Sequence, residues 1–155
     1  MALNLQSFAP LQLKTHSFPV VSVRANPNGT PTGKIAVDQH VLCLPVPEAP
    51  NYWNLQLQLF IHSSDQNSPF CYEIEIHSMG VVELTGDFPS EKREAIAAVN
   101  GLGLLYGACR EMLINITGRS IYGAYSIPSL NFAQVLKEAN EKLQAKQVSP
   151  ESVKA

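Results

Sequence analysis

Between residues 54 and 62 apolar and polar positions alternate, with Leu55, Leu57, Leu59 and Ile61 set against Asn54, Gln56 and Gln58. A period of two sends the two sets to opposite faces of a strand, so this segment predicts a strand buried on one side and wetted on the other. After a turn over Ser63 to Pro69 the pattern resumes, with Phe70, Tyr72, Ile74 and Ile76 against Cys71, Glu73, Glu75 and His77. Two such runs joined by a short polar turn predict an antiparallel hairpin. Leu11 to Ala25 and Ile35 to Leu44 supply further strands, with Pro19 at an edge or a bend because it has no N–H for a ladder. The stretch from Pro45 through Pro47 and Pro50 to Trp53 is expected to be an irregular loop, since its prolines oppose regular pairing. With Val46, Tyr52 and Trp53 it is unusually apolar for a loop, either because it lies down on its own core or because it offers those side chains to a ligand.

From Ser90 the composition turns to alanine, leucine and glutamate. Ser90 is a candidate N-cap with Glu91 and Glu94 in the first turn, and Asn100-Gly101 is a candidate break. Leu102 to Thr117 then reads as a second helix, stopped by Gly118. It is apolar around most of its circumference, more than one sheet face covers, which predicts a partner subunit. Gly103 and Gly107 lie one turn apart and leave a flat strip where another backbone can approach, unless that strip packs on the chain's own sheet. A loop with Ile121, Tyr122, Tyr125 and Ile127 leads to a final amphipathic helix over Asn131 to Lys146, using Phe132, Val135, Leu136, Ala139 and Leu143. The polar tail beyond is expected to be disordered.

At 155 residues, 45% hydrophobic and 15% charged, the chain has the makings of one globular domain with its own core. Its formal net charge of −2 comes without a basic stripe, which argues against nucleic acid. Cys43, Cys71 and Cys109 include no C-x-x-C pair and read as reduced thiols. No secretory signal pattern and no run of about 18 apolar residues is present, so the expectation is a cytoplasmic protein without membrane insertion. His16, His40, His62 and His77 lack ligand spacing, and no phosphate loop, nucleophile elbow or dinucleotide fingerprint occurs. Neither catalysis nor a metal or cofactor is indicated. Glu73 and Glu75 share a strand face, where they serve solubility or dock a basic partner.

The run from Tyr106 to Phe132, Y-G-A-C-R-E-M-L-I-N-I-T-G-R-S-I-Y-G-A-Y-S-I-P-S-L-N-F, resembles the bacterial protein-export chaperone SecB family. Arg110-Glu111, Arg119 and Asn131-Phe132 hold the places of the family's helix Arg-Glu, the Arg near the helix end and the Asn-Phe that opens the last helix. The strand E-I-E-I-H-S-M-G looks like the family's strand as well, with Glu75 and Gly80 at matching positions. The resemblance covers about Leu11 to Leu143 and is strongest in the second half.

It implies an α+β fold in which a four-stranded antiparallel sheet carries two main helices on one face. The chain then divides into an N-terminal segment, partly flexible, over 1–10, a SecB-like domain over 11–146 and a tail over 147–155. The resemblance further implies a homotetramer built as a dimer of dimers, with Gly103, Gly107, Arg110 and Ile114 at the subunit interface. Function would be that of an ATP-independent holdase that keeps unfolded or precursor polypeptides in apolar grooves. Leu44, Val46, Tyr52, Trp53, Tyr122, Tyr125, Ile127 and Phe132 are the candidate client contacts. Glu73 and Glu75 would dock the export motor SecA. The family's first strand contributes two acidic residues to that docking, however, and Val20 and Arg24 stand in their places here. A chaperone dedicated to one partner, of the toxin–antitoxin type and without SecA docking, is therefore the alternative within the family. A small enzyme or ligand-binding domain built around Trp53 is the alternative outside it.

Overall fold

The computed structural model describes residues 9–147. The expected N-terminal segment up to residue 8, the tail beyond 147 and the Leu143 side chain lie outside the described residues. The elements are β1 (Leu11–Ala25), β2 (Ile35–Val46), β3 (Ala49–Ser63), β4 (Tyr72–Leu84), α1 (Ser90–Thr117) and α2 (Phe132–Gln147). All strand pairs are antiparallel and the order is β1-β4-β3-β2, which leaves β1 and β2 as the two edges. The β1–β2 connection reaches the far edge by crossing the turn that joins β3 to β4. It is fastened there by the bonds from Asn26 N to Cys71 O (2.8 Å), Thr30 N to Pro69 O (3.0 Å) and Cys71 N to Thr30 O (3.1 Å).

The two-residue period of β3 and β4 decides which face is covered. Leu55, Leu57, Leu59, Ile61, Ile74, Ile76 and Val82 are all at most 3% exposed beneath α1, whereas Asn54, Gln56, Gln58, Glu73, Glu75 and His77 take the opposite face. On α1 the complementary stripe is Ala97, Ala98, Gly101, Leu102, Leu105, Tyr106, Cys109 and Leu113. Two polar groups in this interior are satisfied in place. Ser78 Oγ meets His16 Nε2 at 2.8 Å, and Thr117 Oγ1 donates to Leu113 O at 2.5 Å. All the cysteines are free thiols, and burial pushes Cys43 and Cys109 up to about 11 each.

Some local expectations are corrected. The proline-rich stretch is a hairpin and not a loop: Pro45 pairs with Trp53 and Val46 with Ala49 around a turn at Pro47-Glu48, where Glu48 has φ 62°. The prolines are tolerated because pairing there is one-sided. Pro45 lies on an edge strand, and Pro50 precedes the first residue of β3 that pairs with β4, Tyr52. Nor does α1 break at Asn100-Gly101, for it runs unbroken through 28 residues. A Cβ on Gly101 would run into Leu55 Cδ1 and stand 3.3 Å from Val82 Cγ1, so the glycine serves close approach to the sheet. Finally, Ser90 is not the cap: Pro89 precedes the first turn, with no side-chain capping bond.

These contacts separate two glycines of one helix. Gly101→Ala is expected to lower the melting temperature, because overpacking of about 1–3 kcal/mol exceeds the roughly 1 kcal/mol that alanine gains in a helix. Gly103 has no atom within 4 Å of where its Cβ would be. Gly103→Ala is expected to raise the melting temperature, by up to about 1 kcal/mol of added stability. Thermal unfolding of both variants checks the pair, and equal shifts would contradict the packing described.

Candidate functional site

The candidate residues separate into surfaces on different sides of the molecule. At the α1–α2 connection Tyr122, Tyr125 and Ile127 fold back onto the end of the sheet where β4 begins. Tyr122 Oη donates to Asn26 O (2.8 Å), Tyr72 Oη to Gly123 O (2.7 Å) and Tyr125 N to Thr117 Oγ1 (2.8 Å). The Tyr125 ring lies 4.8 Å from that of Phe70, and burial raises its hydroxyl above the usual tyrosine value. Ile127 is 2% and Phe132 5% exposed, while Ile121 at the tip is 83% exposed. Asn131 Oδ1 accepts from Ala133 N (3.1 Å) and so caps α2. Tyr106 ties the connection to α1 by donating to Pro128 O and by edge contact with Phe132 (5.5 Å). Arg110, stacked 5.6 Å over the Tyr106 ring, donates to Ser129 Oγ at 3.0 Å.

Trp53, paired with Val82, belongs to the opposite end of the sheet and is 4% exposed in the core. The structure therefore does not bring Trp53 together with Tyr122 and Tyr125. Trp53, Ile127 and Phe132, expected as client contacts, are instead buried in the core. Among the polar-face neighbours, Tyr52 sits opposite Glu83 and is half-buried, as is Val46 at the hairpin turn.

The sheet's uncovered face holds a surface the residue pattern only partly marked. Cross-strand register puts Leu42, Gln56 and Met79 in one row across β2, β3 and β4, and Leu44, Asn54 and Val81 in another. Leu42, Leu44 and Met79 are 41%, 50% and 39% exposed. Around Leu44 and Met79 lies an open depression of about 330 Å³, with Asn54, Gln56 and Val81 in its wall. Of these, Leu44 is a sequence candidate, whereas Leu42 and Met79 were missed. The signal was present in Val41-Leu42-Cys43-Leu44, an unbroken apolar run that, on a strand, must put apolar groups on both faces.

Farther along the same face the carboxylates all have basic neighbours. Lys14 Nζ lies 2.7 Å from Glu83, whose carboxyl Lys14 holds below its ordinary value. His62 Nε2 lies 2.9 Å from Asp38 Oδ2, and His77 Nε2 lies 3.0 Å from Glu75 Oε1, off the line a hydrogen bond needs. Arg24 is directly opposite Glu73, and Val20 opposite His77. Glu73 thus has a cation opposite it on β1, and Glu75 has a histidine beside it. His40 and His77 flank Phe60 at 6.0 and 5.6 Å between ring centres. Among the described residues no group of three or more side chains is arranged to hold a metal, and no helix is long and apolar enough to cross a membrane.

On α1 the stripe turned away from the sheet carries Gly103, Leu104, Gly107 and Ile114, with Leu104 45% and Ile114 38% exposed. Nothing in the described chain lies within 4 Å of a Cβ placed on either glycine. The strip therefore does not pack on the chain's own sheet.

No family model matches the chain, and no curated protein matches it. Solved structures do. A SecB-like chaperone of Mycobacterium tuberculosis, in complex with a peptide from an antitoxin, superposes with a TM-score of 0.55 at 15% identity, covering 78% of this chain and 91% of that one. A protein of unknown function from Streptococcus agalactiae gives 0.47 at 14% identity, over 77% and 97%. The first likeness establishes a SecB-like α+β fold with a four-stranded antiparallel sheet and two helices.

The pairing of His62 with Asp38 has a measurable consequence. The Asp38 carboxylate, followed by the Ser63 carbonyl, raises the His62 pKa above the ordinary 6.5. A folded-state pKa raised in this way stabilises the fold below the unfolded value, and the contribution is lost as pH rises through the folded one. Solvent screening keeps it small at so exposed a site. An NMR titration is expected to put the His62 midpoint above 6.5, and Asp38→Asn to lower it; a midpoint indifferent to Asp38→Asn would contradict the pair.

Proposed function

We propose that the protein is a nucleotide-independent chaperone that binds a polypeptide partner through exposed apolar surface, and that it serves a dedicated partner and not SecA-linked export. The observation that carries this reading is the exposed apolar set Leu42, Leu44 and Met79 on a fold shared with a peptide-bound SecB-like chaperone. Exposed apolar side chains beside unpartnered amides suit an extended chain, whose own apolar groups leave water on contact. Binding of that kind needs no chemistry, and mass action on the unfolded state is enough to hold a client.

The preference for a dedicated partner is supported by the electrostatics of the uncovered face. A basic docking partner of the SecA kind is favoured by a run of acidic groups, and here β1 sets Arg24 directly opposite Glu73 and Val20 opposite His77. Assembly through the outer stripe of α1 is part of the same proposal, since Gly103 and Gly107 leave room for a second helix, with Ile114 on the same strip and Arg110 at its margin.

Leu44→Ser with Met79→Ser is expected to weaken binding of a carboxymethylated unfolded protein about tenfold, from the apolar area removed. Both side chains are exposed, so circular dichroism should be unchanged. Undiminished binding by the folded double variant would reject this surface, and failure of the unmodified protein to bind any unfolded chain would reject the function. For assembly, light scattering should report an oligomer that Gly107→Leu reduces in mass; a monomer at micromolar concentration would refute it.

A further inference from the structure

The sheet has two edges, and they are not alike. β1 carries the devices that discourage strand addition: register shifts between Leu13 and Thr15 and between Ser17 and Val20, Pro19 within the second of these, and the cations Lys14 and Arg24. β2 carries almost none of them. Its register with β3 is continuous from Ile35 to Pro45, it has no lysine or arginine, and its proline lies next to its end. Among the described residues no hydrogen bond from outside the β2–β3 pairing reaches a β2 backbone group. A row of backbone donors and acceptors in regular register is complementary to one kind of ligand, an extended polypeptide.

A second copy of β2 fits this edge poorly. Two-fold antiparallel pairing centred on His40 would set Leu42 of one copy against Asp38 of the other. Centring it on Cys43, which matches Leu42 with Leu44, leaves only residues 40–46 to pair and includes Pro45, which has no N–H. A foreign strand is under no such constraint. On the uncovered face β2 presents Leu44, Leu42, His40 and Asp38 in order, and the Asp38 side chain is 66% exposed despite its contact with His62.

We infer that β2 accepts the partner polypeptide as an added antiparallel strand, and that it selects segments of the form apolar-x-apolar-x-x-x-basic. The apolar positions lie beside Leu44 and Leu42, and the basic one lies beside Asp38. This rests on the proposed function in taking the ligand to be a polypeptide, and it adds the backbone mode and the side-chain code.

The test uses the intact protein and a blocked threonine peptide of twelve residues, the length of β2, with Leu-x-Leu-x-x-x-Lys at its centre. Saturating peptide is expected to slow amide hydrogen exchange in β2 about tenfold or more, leaving β1 unchanged. The reversed sequence should bind about tenfold more weakly. Asp38→Lys should weaken the lysine peptide and strengthen a glutamate counterpart, a charge swap that loss of folding cannot mimic. Binding without β2 protection, or indifference to reversal and to the charge swap, would overturn the inference. So would failure of the peptide to bind while a carboxymethylated unfolded protein is still captured, and failure of both would overturn the functional reading as well. Protection of β2 that follows protein concentration without peptide would assign the edge to a second copy instead.

Discussion

The contact between α1 and the inner face of the sheet is the constraint on which the rest of the molecule depends. A 28-residue helix can cross β3 and β4 closely only where its backbone can descend between side chains, and Gly101 over Leu55 and Val82 is that place. From there the register of the helix determines its other faces. Leu105, Cys109 and Leu113 go into the core, Tyr106 and Arg110 go to the side that holds the α1–α2 connection, and Gly103, Gly107 and Ile114 go outward. The position of α2 follows, since its entry is set by Tyr106 against Pro128 and Phe132 and by the Asn131 cap.

Covering one face with a single long helix leaves the other face and both edges uncovered among the described residues. The polar set of β3 and β4 makes most of the open face compatible with water. The exceptions lie in the two rows that run from Leu42 and Leu44 of β2 across β3 to Met79 and Val81 of β4. There the apolar run of β2 has more hydrophobic side chains than the covered face can take, so Leu42 and Leu44 point outward. The open edge of β2 adjoins that patch, so backbone and side-chain binding capacity coincide.

Much of the architecture was legible in local pattern. The alternation in β3 and β4 identified the buried set by residue, and the change of composition at Ser90 marked the passage from sheet to helix. The unbroken proline-rich hairpin and the unbroken α1 were not legible, for related reasons. Proline and glycine were read for their local preferences, but both effects depend on neighbours. Proline in a strand is harmless when its nitrogen faces no partner, and glycine inside a helix is favoured when a side chain of another element needs the space. The candidate binding residues fared unevenly because aromatic side chains in a connection can turn inward as easily as outward, and Trp53, Ile127 and Phe132 turned inward.

The sequence by itself determined the passage from a β half to a helical half, the buried faces of β3 and β4 and the absence of catalytic motifs, because each follows from the spacing of residues close along the chain. Only the tertiary structure decided which strands became edges, which apolar residues remained exposed, and which carboxylates stood beside a compensating charge. Those properties belong to pairs such as Arg24 and Glu73, or Val20 and His77, that are distant in sequence and adjacent only through the order β1-β4-β3-β2. Burial and charge compensation act through space, and no periodicity along one segment records which strand will lie beside it.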